Sequence, residues 1–250
     1  MSVPAKDIVT AAVLVIGDEI LSGRTKDKNI GFIADHLTAI GIQLKEVRIV
    51  PDEEPEIVEG LNALRAKYDY VFTTGGIGPT HDDITADAIA KAFGVGIDID
   101  PRAVAVMRPH YEGRGLEFTP GRMRMARIPA GADLVENAVS KAPGFMIGNV
   151  IVMAGVPNIM QAMLLAVTPR LTTGKRMLSV ALTVRRAESE IAELFANVQK
   201  QFPDVPMGSY PFSDDKGFGA NLVLRALDAE RLEAAQTELA ARLVAAGIAV

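Results

Sequence analysis

The chain has 250 residues, a net charge of −5 at pH 7, 49% hydrophobic residues and no cysteine. This length allows one large and one small domain, and the composition excludes disulfides, thiol nucleophiles and cysteine-ligated zinc. The negative charge disfavours nonspecific nucleic-acid binding, so no nucleic-acid partner is expected. Residues 1–7 contain no apolar run and residues 8–16 are too few to span a bilayer, which predicts a cytoplasmic protein without a membrane partner.

The first part of the chain alternates between predicted strands and helices. An apolar, β-rich run ends at Ile16, and Asn29 is predicted to cap the next helix, which stops at Gly41. The further elements are a strand at 43–50, a helix at about 56–67, a strand ending at Thr74 and a helix from Ile84 to Phe93. Such alternation predicts a right-handed, parallel α/β sheet.

Residues 95–135 show a less regular pattern, in which a helix that begins at Pro101 is interrupted by Pro109 and Gly113. Three arginines follow this helix, and they are Arg122, Arg124 and Arg127. Guanidinium groups bind phosphate bidentately, so these side chains could reach a ligand from beside the sheet. An ordinary solvated surface is the alternative interpretation.

The last part of the chain begins with a hairpin that is predicted to turn at Gly148-Asn149. Its second strand, 150–153, leads through Gly155-Val156-Pro157 into another helix. A linker at 172–175 separates domain 1–172 from domain 177–250. The smaller domain reads as strand, helix, two strands and helix, which predicts an α+β module for packing or dimerisation.

The segment from Thr73 to Thr85 joins a strand to a helix, so it should lie where open α/β sheets bind ligands. Three closely spaced glycines offer backbone amides without Cβ atoms, an arrangement suited to phosphate; they are Gly75, Gly76 and Gly78. Asp82 and Asp83 follow, and two carboxylates beside a phosphate require a cation or a proton between them. Alternatively, these acids only cap the helix together with Thr80.

Acidic residues also follow two other predicted strands, at Asp18-Glu19 and at Asp52. Because the carboxyl ends of parallel strands meet at one edge of a sheet, these acids are expected to converge with Asp82 and Asp83. A simpler interpretation of Asp52 is helix-entry chemistry, since acids favour helix amino termini.

Several of these segments together resemble the MoaB/Mog molybdopterin-binding domain, and more narrowly the amino-terminal part of CinA, the competence/damage-inducible protein. The matching segments are residues 17–23, 50–52, 73–85, 142–144 and 155–157. The resemblance covers residues 11–171 and implies a three-layer α/β fold and a homo-oligomer, either a dimer or a trimer. Ala154, Ile159 and Ser140 depart from the family pattern, in which proline, glutamate and glycine are usual.

The resemblance implies two kinds of chemistry. In the CinA branch the domain is associated with hydrolysis of ADP-ribose that depends on a divalent metal and potassium, and a related domain occurs in FAD synthases. In the Mog branch it adenylylates or binds molybdopterin. The expected partner is therefore a small molecule, a nucleotide diphosphate or a pterin, and the expected cofactors are Mg²⁺ or Co²⁺ together with K⁺. The nicotinamide-mononucleotide deamidase activity of full CinA is not expected of this chain.

Our first hypothesis is a metal-dependent pyrophosphatase that acts on ADP-ribose or FAD. Asp52, Asp82 and Asp83 are assigned as catalytic and metal-binding residues that hold the ion and orient the attacking water. The residues assigned to ligand binding are Thr74, Gly75, Gly76, Gly78, Asp18, Glu19, Asn137, Lys141, Gly155 and Pro157. The alternatives are a molybdopterin-binding protein of molybdenum cofactor biosynthesis and a noncatalytic nucleotide sensor.

Overall fold

The computed structural model describes residues 6–215 and 217–249. Residues 1–5, on which part of the membrane prediction depends, lie outside these ranges, as do Lys216 and Val250 of the predicted small module. The chain divides after Gly174 into two compact units, and each is described by itself. Within the described ranges, no helix is long and apolar enough to cross a membrane.

The first unit contains a six-stranded mixed sheet and a separate two-stranded pair. The strands are β1 (Val9–Ile16), β2 (Ile42–Val50), β3 (Tyr70–Thr74), β4 (Ile97–Ile99), β5 (Arg127–Pro129), β6 (Asp133–Val135), β7 (Gly144–Ile147) and β8 (Val150–Met153). The large sheet has the order β2-β1-β3-β8-β7-β6, and β4 pairs with β5. Strands β2, β1, β3 and β8 run parallel, whereas β7 is antiparallel to both of its neighbours.

Helices cover both faces of the large sheet. They are α1 (Asp18–Leu21), α2 (Asn29–Ala39), α3 (Glu54–Arg65), α4 (Thr85–Phe93), α5 (Pro101–Glu112), α6 (Pro120–Arg124) and α7 (Pro157–Val167). Leu14 of β1 belongs to a core formed with α3, α4 and α5, while Val13 belongs to a second core formed with α2 and α7. A strand that is buried on both faces explains the uninterrupted apolar run, and the arrangement confirms the predicted α/β fold.

The connections of β1 leave on opposite faces of the sheet, and such a reversal is where open α/β sheets form a crevice at the sheet edge. The chain leaves β1 through α2 on one face and reaches β2, and it then returns through α3 on the other face to β3, on the opposite side of β1. In open α/β sheets, ligands bind at such a switch point, outside the carboxyl ends of the strands. The fold therefore indicates a ligand-binding site between the ends of β1 and β3.

Two predicted local features differ in the structure. Asn29 does not cap α2, because the Asp27 carboxylate accepts hydrogen bonds from the Asn29 and Ile30 amides, at 3.1 and 2.8 Å. Helix α5 is not interrupted at Pro109 but continues to Glu112. Proline near the end of a helix costs little there, because the carbonyl that loses its partner belongs to a residue that water can reach.

The second unit is a small α+β module, as predicted. Its elements are β9 (Leu178–Val184), α8 (Glu188–Gln201), β10 (Met207–Asp214), β11 (Gly217–Ala226) and α9 (Ala229–Ala245). The strands form an antiparallel sheet in the order β10-β11-β9. Its core joins Leu222 and Leu224 of the sheet to Ile191 of α8 and Leu239 of α9, so the helices share one face.

Candidate functional site

Four loops meet at the edge where β1, β2, β3 and β8 end, and backbone hydrogen bonds connect them. The Gly17 amide, after β1, donates to the Val50 carbonyl at the end of β2 at 3.1 Å. The Gly75 amide, after β3, donates to the Met153 carbonyl at the end of β8 at 3.2 Å. The four loops therefore form one continuous edge around the crevice between β1 and β3.

Bare backbone lines this crevice because the loops approach too closely for side chains. Gly75 has φ of 109°, and a Cβ there would lie 2.0 Å from the Ile16 carbonyl oxygen. A Cβ on Gly76, where φ is 64°, would lie 2.1 Å from Thr85 Oγ1. Gly155 packs on Gly75, since its Cβ would lie 3.2 Å from the Gly75 Cα. Glycine is therefore required at Gly75 and Gly76 by both conformation and close approach.

Thr85 joins the glycine loop to α4. Its hydroxyl donates to the Gly75 carbonyl at 3.0 Å, and its amide donates to the Gly76 carbonyl at 3.0 Å. Helix α4 starts at Thr85 with Ile84 as its N-cap residue and without a side-chain cap. The alternative in which Asp82 and Asp83 only cap this helix is therefore wrong.

Asp83 instead closes a turn with Thr80. Its Oδ2 accepts from the Thr80 amide at 2.8 Å and from the Thr80 hydroxyl. The same carboxylate lies against Gly78, where a Cβ would be 2.6 Å from Asp83 Oδ2. Asp82 is exposed, and the nearby Thr80 hydroxyl lowers the pKa of its carboxyl. The adjacent acids thus have different surroundings: Asp83 shapes the loop, while Asp82 faces solvent.

Three other acidic side chains act on the pKa of Asp52. Burial raises the pKa of Asp52, a hydrogen bond from the Asp18 amide at 3.0 Å opposes that shift, and the carboxylates of Glu19, Asp18 and Asp82 raise the pKa further. Residues from three loops therefore act on this one carboxyl group, so the predicted convergence includes Asp52 and Asp82. A raised pKa makes Asp52 a stronger base than an exposed aspartate.

The oxygen donors suit a hard divalent cation such as Mg²⁺. Within the residues that the structure describes, no group of three or more His, Asp or Glu side chains is arranged to hold a metal by itself. Mg²⁺ usually needs only one or two carboxylates, with substrate phosphates and water as the remaining ligands. Asp52 and Asp82 fit that pattern, whereas Asp83 already accepts two hydrogen bonds within its turn.

Two residues assigned to ligand binding have buried side chains. Asn137 is buried; its Oδ1 accepts from the amides of Val139 and Ser140, and its Nδ2 donates to the Ser140 hydroxyl and the Ala142 carbonyl. Since both donors and the acceptor are used, the Asn137 side chain holds its own turn. Thr74 is 1% exposed, and its buried hydroxyl has no hydrogen-bond partner within the described residues.

The side chains of the other residues assigned to ligand binding differ in their surroundings. The Glu19 carboxylate turns back toward Gly17, where a Cβ would lie 2.6 Å from Glu19 Oε2. Pro157 is the first residue of α7. Lys141 has φ of 64°, and its charge acts on His110 at the end of α5, whose pKa burial, Arg114 and Lys141 all lower. Lys141 therefore lies toward the end of α5.

Two residues that the sequence interpretation did not assign also contact this edge. Asn29 is 5% exposed, and its Nδ2 donates to the Gly155 carbonyl at 2.8 Å. Arg124 on α6 donates from Nε to the Thr80 carbonyl at 3.1 Å and from Nη2 to the Asp83 carbonyl at 3.4 Å. The arginine cluster at 122–127 was the available signal for Arg124. The polar residue at the start of α2 was interpreted only as a cap.

Comparisons with known proteins match both units. Residues 12–173 match the family model described as a probable molybdopterin binding domain, and residues 176–249 match that of the middle domain of FAD synthase. The solved structure of CinA from Thermoplasma acidophilum, described as having unknown function, is 36% identical with a TM-score of 0.60. That alignment covers 66% of this chain and 99% of the Thermoplasma chain.

Two relatives extend the similarity beyond the first unit. A protein of Pyrobaculum arsenaticum is 36% identical over 217 residues, which are 83% of this chain and 80% of the relative. A CinA-like protein of Desulfosudis oleivorans is 34% identical over 209 residues, 79% of this chain. The second alignment spans only 51% of that longer protein.

Proposed function

Because the chain belongs to the family of probable molybdopterin binding domains, as the MoaB/Mog and CinA resemblance predicted, we propose that its first unit hydrolyses a nucleotide diphosphate such as ADP-ribose or FAD. The site is the crevice between the ends of β1 and β3. The observation that carries this proposal is that the glycine loop ends in Asp82, whose charge acts on Asp52 at the same sheet edge, and that the pKa of Asp52 is raised. Backbone amides suit phosphate oxygens, and a basic carboxylate suits activation of water.

The chain's own residues supply binding and proton transfer. The backbone at Gly75, Gly76 and Gly78 receives the diphosphate. Because the Gly75 amide already donates to the Met153 carbonyl, the amides of Gly76 and Gly78 are the donors that offset the negative charge. Asp52 Oδ2 is held by the Asp18 amide, which leaves Oδ1 to take a proton from water. The water oxygen forms a bond to one phosphorus atom while the bond from that phosphorus to the bridging oxygen breaks. The bridging oxygen leaves with the electron pair on the other phosphate, so ADP-ribose gives AMP and ribose 5-phosphate.

Asp52 and Asp82 would hold a divalent cation together with the substrate phosphates. When bound, such an ion offsets the charge that develops on phosphate oxygens and separates the substrate from the acidic residues. Asp83 contributes to the same reaction indirectly, because the turn that it forms with Thr80 holds the loop in place. We therefore keep Asp83 in the proposed site as a positioning residue, which refines its assignment as a direct ligand.

The second unit supports compounds that contain an adenosine diphosphate group as the substrate class. It matches the middle domain of FAD synthase, so FAD belongs beside ADP-ribose among the substrates to be tested. Both compounds contain the same adenosine diphosphate group, which is the part that the glycine loop would receive. We propose that the second unit assists assembly of a homo-oligomer, which light scattering on the purified chain tests.

The direct test measures AMP release from ADP-ribose, FAD and NAD with Mg²⁺, Mn²⁺ or Co²⁺, each with and without K⁺. Asp52→Asn is expected to lower turnover by about 100-fold or more, because general-base and metal roles are of that size. Glu53→Gln is the matched control, since it removes the same charge from the next residue, which is exposed and makes no side-chain cap on α3. Retained turnover in Asp52→Asn, or no metal-dependent AMP release by the wild-type protein, would contradict the proposal.

Two neighbouring variants separate ion binding from loop formation. Asp82→Asn should weaken activation by Mg²⁺ while the unfolding midpoint stays unchanged, because Asp82 is exposed. Asp83→Asn should lower both turnover and stability, since its hydrogen bonds hold the Thr80 turn. Identical behaviour of the two variants would contradict this division of roles.

A second candidate is pterin binding in molybdenum cofactor biosynthesis, and the family match over residues 12–173 favours it. The same glycine backbone would receive the phosphate of molybdopterin. Purified protein would then carry pterin fluorescence after expression in a host that makes the cofactor, and Gly76→Ala would lose it. Metal-dependent AMP release without pterin fluorescence favours the hydrolase, and nucleotide binding without either result identifies a sensor.

A further inference from the structure

A cleft opens on the α4 side of the glycine loop, where residues at the end of α6 and in β5 line it. The charged side chains that line this cleft are Asp83, Asp87, Arg124 and Arg127. The backbone of Gly76 and Gly78 also forms part of its wall. The cleft therefore shares the glycine loop with the proposed catalytic edge, and two guanidinium groups line it.

Only one of the two arginines is neutralised by a carboxylate partner. Arg127 donates from Nη1 and Nη2 to the two carboxylate oxygens of Asp87, at 2.7 and 2.6 Å. Arg124 instead donates to the carbonyls of Thr80 and Asp83, so its positive charge has no ion-pair partner within the described residues. Asp83 Oδ2 is engaged by Thr80, which reduces but does not remove the negative charge in the cleft.

Arg124 also keeps hydrogen-bonding capacity. A guanidinium group has five N–H donors, and the bonds to Thr80 and Asp83 use the Nε donor and one Nη2 donor. Both donors on Nη1 remain, together with the second donor on Nη2, and they are enough for a bidentate contact with a phosphate. The carbonyl contacts already fix the guanidinium, so less side-chain entropy is lost when an anion binds.

We propose that Arg124 binds one phosphate of the diphosphate ligand, while the glycine backbone on its other side binds the second. This inference rests on the proposed nucleotide-diphosphate site and adds an anion-binding residue to it. Because Arg124 also contacts the carbonyls of Thr80 and Asp83, anion binding and the position of the acidic turn are connected through one side chain. Arg127 stays with Asp87 and is not a ligand-binding residue.

The test measures binding of inorganic pyrophosphate, with Mg²⁺ present, to the full chain by isothermal titration calorimetry. Arg124→Met keeps an unbranched apolar stem and removes the guanidinium group with its charge, and we expect binding to weaken about 10- to 100-fold. Arg122→Met is the matched control on the same helix, because Arg122 donates to the Glu117 carbonyl and covers the Tyr111 ring, away from the cleft. Arg124→Lys, which keeps a charge but not the planar fork, should recover part of the affinity.

The outcomes separate this inference from the proposed hydrolase. Affinity in Arg124→Met equal to that of the wild type would overturn the inference, whether or not AMP release is found. An equal loss in Arg122→Met and Arg124→Met would also overturn it, because the effect would then come from the helix. Arg124-dependent binding of pyrophosphate without any AMP release would support the anion site and count against hydrolysis. Absence of pyrophosphate binding by the wild type would overturn the anion site.

Discussion

Gly76→Ala tests whether the glycine loop depends on close packing against α4 or only on its backbone conformation. Gly76 has φ of 64°, and a Cβ there would meet Thr85 Oγ1 at 2.1 Å. Gly94, at the end of α4, has φ of 65°, and a Cβ there would have no described atom within 4 Å. The two glycines therefore share a conformational cost on substitution and differ in the steric one.

The magnitudes follow from these contacts. An alanine in the left-handed region costs about 1–2 kcal/mol, and this is the whole effect expected for Gly94→Ala. In Gly76→Ala the buried Thr85 must also move, and its hydroxyl then loses the bond to the Gly75 carbonyl. An unsatisfied buried group adds about 1–3 kcal/mol, so we expect a total of roughly 2–5 kcal/mol for Gly76→Ala.

Urea unfolding, with pulse proteolysis at each urea concentration, measures both variants. Mass spectrometry of the fragments assigns the transition to the first unit, because the chain contains two compact units. Thr85→Ala removes the obstructing oxygen, so adding Gly76→Ala to that variant should cost less than adding it to the wild type. Equal destabilisation by Gly76→Ala and Gly94→Ala would refute the reasoning, since the close approach of Thr85 would then contribute nothing.

Further predictions concern other contacts of the same edge. Asn29→Ala should lower the free energy of unfolding by about 1–3 kcal/mol in urea titrations, because the Gly155 carbonyl loses its partner. The pKa of Asp52 is raised in the folded state, so ionisation of Asp52 opposes folding above its unfolded pKa. Asp52→Asn should therefore raise the unfolding midpoint at pH 7, and this gain should disappear near pH ~3, where the carboxyl is protonated in both states. Asp87→Asn should cost roughly 1 kcal/mol, less in high salt, because a partly exposed ion pair with Arg127 is lost.

The fold could be predicted because the residues that indicate each strand or helix lie within that element or at its ends. The run from Ala11 to Ile16 is apolar at every position because both faces of β1 are covered, and glycines mark the helix ends at Gly41 and Gly94. The predictions failed where a distant residue decides the outcome. Asn29 resembles a cap in the sequence, but the Asp27 carboxylate takes that role and the Asn29 side chain reaches Gly155, 126 positions away.

The candidate site was predictable only in part, for the same reason. Gly75 and Gly76 are recognisable because a strand precedes them, and Asp52 because the parallel sheet brings strand ends together. Nothing local distinguishes Arg124 from Arg122, since both lie on α6 and both donate to backbone carbonyls. Only the fold shows that the carbonyls bound by Arg124 belong to the acidic turn.

The adjacent acids Asp82 and Asp83 show why a motif alone does not assign roles. Within the motif both are equivalent candidates, yet Asp83 is held by Thr80 and packs against Gly78, while Asp82 is exposed and acts on the pKa of Asp52. A carboxylate that forms a turn can affect catalysis only through geometry, whereas an exposed one beside a basic aspartate can share a cation with it. Loss of activity in Asp83→Asn therefore identifies a metal ligand only if the stability of the Thr80 turn is unchanged in the same variant.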